Sequence, residues 1–141
     1  MSIKKDKGIV GITFGAFDLC HAGHMITFEE AKKVCDYLIV GLHIDPSIER
    51  KSKNTPIMSF LERLIILKSI KYIDKVILYS TENELIEILK RMQPDVRIIG
   101  EDWKGKKYTG YELDTKMYFN SRTHSYSSSE LRRRIANAEN K

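Results

Sequence analysis

Apolar residues along this chain fall into two kinds of run: near-continuous stretches of about half a dozen residues, and longer stretches recurring at three- and four-residue spacing. Residues 9–14 read as a buried strand, and 25–35 carry the apolar rhythm of a helix. A second strand is expected over 37–43. The helix predicted over 59–69 opens on a capping box, with Ser59 as N-cap and Glu62 three positions on. A third strand follows over 75–79, then a helix over 82–92 with Leu85, Ile86, Ile88, Leu89 and Met92 apolar, then a strand over 96–100. A weaker strand over 116–119 precedes a last helix, whose start is marked by Ser127 and Glu130 as a second capping box.

Strands that alternate with helices predict an α/β, Rossmann-like fold: a parallel sheet of about five strands covered by helices on both faces. Such sheets bind ligands beyond the carboxyl ends of their strands, where the strand order reverses. The segments that leave those ends are therefore the places to look for chemistry: 15–24, 45–53, 100–103 and 122–129. The dinucleotide fingerprint GxGxxG is absent, since Gly8, Gly11 and Gly15 have the wrong spacing, and there is no P-loop. Hydride transfer and P-loop hydrolysis are disfavoured.

The first of these segments runs Thr13-Phe14-Gly15-Ala16-Phe17-Asp18-Leu19-Cys20-His21-Ala22-Gly23-His24. Free N–H groups and the dipole at a helix start favour phosphate, and Gly15 and Gly23 let the backbone come close. His21 and His24, three apart, lie on one helical face and can address the same phosphate. Imidazole can donate a hydrogen bond or carry a proton near neutral pH, which suits a crowded, anionic phosphorus centre. Asp18 can orient a histidine or position the chain entry. Cys20, His21 and His24 could be zinc ligands, but structural zinc takes four and no second pair stands at suitable spacing, so no metal-ligand set is expected.

Gly15-Ala16-Phe17-Asp18 followed by His21-Ala22-Gly23-His24 resembles the signature of the cytidylyltransferase-like branch of the nucleotidyltransferase superfamily, and within it the glycerol-3-phosphate cytidylyltransferases. Lys51 and Lys53 fall where that family has triphosphate-binding lysines. Ser59-Phe60-Leu61-Glu62-Arg63 matches its helix-opening segment, and Gly100-Glu101-Asp102-Trp103-Lys104-Gly105-Lys106 is similar to its GDDWEGK-like stretch. Arg122-Thr123 and Ser127-Ser128-Ser129 resemble its last motif.

The resemblance implies a single nucleotidyltransferase domain over 1–141 with its core over about 8–137. It implies transfer of CMP from CTP to the phosphate of a small phosphorylated acceptor, with pyrophosphate released and no covalent enzyme intermediate. Mg²⁺ would be bound mainly through the nucleotide phosphates, and a homodimer is expected. His21, His24, Lys53 and Arg122 take the catalytic roles. Nucleotide contacts fall to Thr13, Phe14, Gly15, Ala16, Phe17, Asp18, Gly23, Lys51, Arg63, Gly100, Asp102, Trp103, Thr123, Tyr126, Ser127 and Ser128.

Three departures bear on the acceptor. His124-Ser125-Tyr126 stands where many members have x-Gly-Ile, Lys71 stands where the glycerol-3-phosphate enzymes tend to have arginine, and residues 108–113 match nothing in the family pattern. Glycerol 3-phosphate, another polyol or amino-alcohol phosphate, and a phosphorylated amino acid such as glutamine phosphate all stay open. The same motif serves adenylyltransferases that use ATP on FMN or sugar phosphates, and the fold can also serve a non-catalytic nucleotide or nucleic-acid binding module.

Composition narrows the setting. Hydrophobic residues make up 42% and charged residues 30%, a globular balance that argues against disorder. No apolar run has membrane-span length and the N-terminus lacks a signal-peptide core, so a soluble, cytoplasmic protein is expected. Two cysteines, Cys20 and Cys35, do not make a disulfide framework. The net charge of +5 invites a nucleic-acid partner, but the one dense run, Arg132-Arg133-Arg134, points three ways on a helix. A basic excess equally suits a triphosphate and a phosphorylated acceptor, and nucleic acid is not expected.

Overall fold

The computed structural model describes residues 6–140. Five strands form one sheet: β1 (Val10–Gly15), β2 (Tyr37–His43), β3 (Lys75–Tyr79), β4 (Val96–Gly100) and β5 (Met117–Asn120). Their spatial order is β3-β2-β1-β4-β5, and every pairing is parallel. The chain therefore winds outward from β1 to β3, crosses back, and winds the other way through β4 and β5. The carboxyl ends of β1 and β4 flank the point of reversal, where this fold class leaves a crevice.

Among the described residues five α-helices accompany the sheet: α1 (Ala22–Lys32), α2 (Pro46–Glu49), α3 (Phe60–Lys68), α4 (Glu82–Met92) and α5 (Ser128–Glu139), with a 3-10 turn at Glu101–Trp103. On one face Phe28 and Ala31 of α1 and Leu67 of α3 pack with Leu38, Val40, Leu42, Val96 and Ile98. On the other, Leu85, Ile88 and Leu89 of α4 pack with Val10, Ile12, Ile39 and Tyr79. Neighbouring residues of β2 thus serve opposite cores, the period of two that a sheet covered on both faces requires.

The helix boundaries follow from their caps. Ser59 and Glu62 close a complete capping box on α3, as expected. Thr81 and Glu84 do the same for α4, whose far end is turned by Gln93 in the left-handed region at φ 47°. Ser127 caps α5 by accepting from the Glu130 N–H, but the Glu130 carboxylate pairs with Arg133, so the second predicted box is half made. Helix α1 starts three residues earlier than its apolar rhythm suggested, because its cap is a histidine, and it stops at Lys32 rather than 35. Helix α2 falls in the 45–53 segment that leaves β2, for which the apolar pattern predicts no helix, with Asp45 as N-cap and Pro46 at its first position. No helix among the described residues is long and apolar enough to cross a membrane.

Candidate active site

His21 is the N-cap of α1. Its Nδ1 accepts from the Gly23 N–H at 3.0 Å, and the His24 Nδ1 accepts from the His21 N–H at 3.1 Å. This is a capping box built from imidazoles in place of a hydroxyl and a carboxylate. An accepting Nδ1 carries no proton, so that network assigns each neutral ring its N–H at Nε2. The rings lie 4.0 Å apart, centre to centre. A side chain at position 23 would bring its Cβ within 2.8 Å of the His21 ring, so only glycine fits between the two histidines.

Both rings are held neutral. Burial, then His21, then Arg122 push His24 down to about 4, with Asp18 opposing. Burial and then His124 lower His21. Of the two roles open to these imidazoles, donating a hydrogen bond or carrying a proton, the lowered pKa values favour the first: they offer N–H donors at the helix N-terminus without a full charge.

The turn before α1 is strained and clamped. Phe17 and Leu19 both have φ of 50°, a left-handed conformation that costs a non-glycine residue roughly 1–2 kcal/mol. Asp18 between them, 6% exposed, accepts from the N–H groups of Ile57 and Met58 at 2.7 and 2.9 Å and from Arg132 at 3.2 Å. Burial raises the Asp18 carboxyl, but Met58, Ile57 and Arg132 together outweigh it and hold it below its ordinary value. Its carboxylate therefore ties the β1–α1 turn to the segment before α3 and to α5, and faces backbone donors.

Arg63 occupies a comparable post. It is 2% exposed, and its guanidinium donates to the carbonyls of Met58, Ala16, His43 and Ile44. Those four bonds occupy most of its donors beneath the site, so Arg63 fixes the ends of β1 and β2 from below. Four of its five guanidinium N–H groups are taken by these carbonyls, which leaves one for the nucleotide contact that the resemblance implies.

A second helix N-terminus meets the first. The Ser128 hydroxyl, at the start of α5, lies 3.3 Å from His21 Nε2 and 3.4 Å from the Asp18 carbonyl. Arg122 leans over Gly100, where a Cβ would stand 2.8 Å from its Nη2, and sits 3.8 Å from Asp102 across an exposed pair. His124, whose ring stacks on Tyr126 at 5.4 Å, packs above Gly23. Thr123, Tyr126 and Ser127 are exposed on the same segment. Thr13 is buried within β1, and Phe17 packs edge-on against His24. Lys51 and Lys53 project from an exposed loop.

Beside the histidines, on the α4 side of the sheet, lies a cleft of about 230 Å³. Phe14, Gly15, Ala16, Lys53 and Trp103 line it, and all five are anticipated by the sequence. His43, Arg50, Glu82, Arg97, Tyr108 and Thr109 line it too and are not. Two of these left a trace: Arg97 is a charge inside the otherwise apolar strand β4, and His43 ends an apolar strand at its carboxyl edge. Tyr108 and Thr109 belong to the unmatched segment 108–113, which forms a wall of the cleft.

A profile of the family described as cytidylyltransferase-like matches residues 12–134. Among curated proteins, the chain is 32% identical over 133 residues to the bifunctional protein HldE of Campylobacter jejuni subsp. doylei, covering 94% of this chain and 28% of that protein. It is 37% identical over 105 residues to HldE of Paramagnetospirillum magneticum, covering 74% and 21% respectively. The chain thus spans only about a quarter of the length of these relatives. Among solved structures, a lipopolysaccharide core biosynthesis protein of Thermoplasma volcanium superposes with a TM-score of 0.60 at 23% identity, covering 94% of this chain and 89% of that one. A pantoate-beta-alanine ligase of Francisella tularensis superposes with a TM-score of 0.61 at 14% identity, covering 94% and 70%. Both likenesses show the nucleotidyltransferase-type, Rossmann-like fold.

Proposed function

Because the chain belongs to the cytidylyltransferase-like family of nucleotidyltransferases, we propose that it transfers a nucleotidyl group from a nucleoside triphosphate to the phosphate of a small acceptor. An acceptor oxygen bonds to the α-phosphorus while the bond from that phosphorus to the bridging oxygen of the β-phosphate breaks, and pyrophosphate leaves. An ionised phosphate needs no general base. The observation that supports this reading is the imidazole capping box, which presents two neutral Nε2–H groups side by side at a helix N-terminus. Charge building on the α-phosphoryl oxygens is what such fixed donors stabilise.

In this reading His21 and His24 touch the α-phosphate, and Ser128 and Arg122 extend the donor set toward the departing pyrophosphate. Lys53 closes over the phosphates from its loop, with Lys51 beside it. Asp102, Trp103, Thr123 and Tyr126 border the nucleoside. Mg²⁺ enters as part of the triphosphate substrate, since this ion keeps much of its water shell and is bound largely through substrate phosphates. A homodimer completes the reading, and the exposed Leu61 and Ile65, four apart on α3, offer it an apolar face.

CTP is the donor that the family likeness supports. ATP is the second reading, favoured by the fold neighbour from Francisella tularensis, whose structure contains beta-gamma ATP. A pyrophosphate-release matrix of four nucleoside triphosphates against a panel of phosphorylated acceptors, with Mg²⁺ present, tests both. Release with CTP supports cytidylyl transfer, preference for ATP replaces it with adenylyl transfer, and no release with any pair overturns the reaction itself.

A further inference from the structure

Two buried side chains line the cleft beside the histidines: among the described residues, one ring nitrogen has no hydrogen-bond partner, and one guanidinium has no carboxylate against it. His43 is 5% exposed, and its Nδ1 has no hydrogen-bond partner. Its ring is fixed against Tyr79, 4.5 Å centre to centre, so it cannot turn away freely. Arg97 is also 5% exposed. It makes no ion pair among the described residues, and only its Nη1 is committed, to the Thr109 carbonyl. Its guanidinium lies 5.2 Å from the Phe14 ring and 5.3 Å from the Tyr108 ring, which hold its plane. Gly110, at φ 83°, allows the wall to approach: a Cβ there would stand 3.3 Å from Arg97 Nη1.

Buried polar groups and charges normally find partners, and these two residues line a cavity large enough for roughly eight waters' volume. The rest of the lining says what kind of ligand fits. Glu82 holds Arg50 and the Thr109 hydroxyl through one oxygen, Oε1. Donors and an acceptor thus alternate around aromatic walls. Hydroxyl groups, which both give and take hydrogen bonds, match a lining that holds both guanidinium donors and a carboxylate acceptor. Gly15 and Ala16 form the side of the cleft nearest the histidine turn, so a ligand phosphate directed there would lie toward His21 and His24.

We propose that His43 and Arg97 are the acceptor-selecting pair, binding the hydroxyls of a phosphorylated sugar or polyol whose phosphate points toward Gly15 and Ala16. This inference rests on the nucleotidyl-transfer reading for its meaning, and its test is independent of turnover. Binding of ribose 5-phosphate, glycerol 3-phosphate, 3-phosphoglycerate and n-butyl phosphate is measured by calorimetry on the wild type and on His43→Phe and Arg97→Gln, alongside CTP and ATP. His43→Phe keeps a ring against Tyr79 and removes no hydrogen bond made within the protein; melting curves establish that each variant is folded.

The expected result is that a hydroxyl-bearing phosphate binds the wild type at least about tenfold more tightly than n-butyl phosphate, and that His43→Phe loses about tenfold, the worth of a buried hydrogen bond. Nucleotide affinity should stay within about twofold, since neither residue belongs to the donor set around the α-phosphate. Equal binding of butyl and hydroxyl-bearing phosphates overturns the proposal, as does preference for 3-phosphoglycerate, unchanged sugar-phosphate binding in His43→Phe, or a matching loss of nucleotide affinity. Absence of pyrophosphate release with all substrate pairs, by contrast, would overturn nucleotidyl transfer and leave the binding result to stand or fall by itself.

Discussion

A histidine that caps a helix gives one nitrogen to the backbone and keeps the other for chemistry. At His21 and His24 the backbone takes Nδ1, and the nucleotidyl-transfer reading gives Nε2 its part in the reaction. His24→Ala should lower kcat by about 10²-fold or more, the scale of losing one transition-state donor, in a pyrophosphate-release assay. The same ring resists protonation down to about pH 4, whereas an unfolded chain takes up the proton near its ordinary pKa. The depressed value means that His24's contribution is full above pH 6.5 and is lost as pH falls toward 4. Urea denaturation should therefore show a fall of up to about 3 kcal/mol across that window, smaller in His24→Ala. Arg63 belongs to the same scale. Arg63→Met should cost about 3 kcal/mol by stranding four carbonyls, and Arg63→Lys should recover little, because a point donor cannot reproduce the planar fork.

Among elements, what was legible depended on whether the signal was local. The boxes at Ser59 and the apolar runs of β2, β3, β4 and α4 obey short-range rules, and these elements lie where those rules put them. The start of α1 was not legible because capping tables rank hydroxyl and carboxylate side chains, while here an imidazole fills the cap. The half-made box at Ser127 failed for a different local reason, Arg133 taking the carboxylate that would have closed it. Ser128→Ala should separate the roles of neighbouring serines: turnover falls while melting temperature holds, whereas Ser127→Ala costs about 1 kcal/mol as a lost cap. Asp18 couples three elements, and its depressed pKa sets a second acid window. Its contribution is present above the unfolded carboxyl pKa and is lost as pH falls through the lower folded value. Asp18→Asn should flatten the stability profile below about pH 4, measured by chemical denaturation.

For the whole molecule, the reversal of strand order between β1 and β4 gathers segments far apart in the chain along one edge. That convergence was readable from alternation alone, since parallel strands joined by helices must present their following loops on one side. The cleft beside the histidine turn was not, because it depends on which residues of β2, β3, β4 and the 108–113 segment face the same side, and no short motif records that. The family pattern favoured the histidine side and passed over Arg97 and His43. At this scale the homodimer has its own test: light scattering on a size-exclusion column should give twice the chain mass, and a Leu61→Glu, Ile65→Lys variant should give the monomer.

The segment carrying Lys51 and Lys53 is moored at both ends. Arg50 is held by Glu82 on α4, and the N–H groups of Ile57 and Met58 are held by Asp18. Only residues 51–56 run between those moorings, a tether of roughly 20 Å at full stretch. Lys53 lies near its middle, with its N–H donating to the Arg50 carbonyl at 3.0 Å, and the chain on either side cannot swing clear of the molecule. In the nucleotidyl-transfer reading proposed above, capture of a triphosphate by Lys53 then needs little reordering of backbone, and the entropic toll of closing the loop is small.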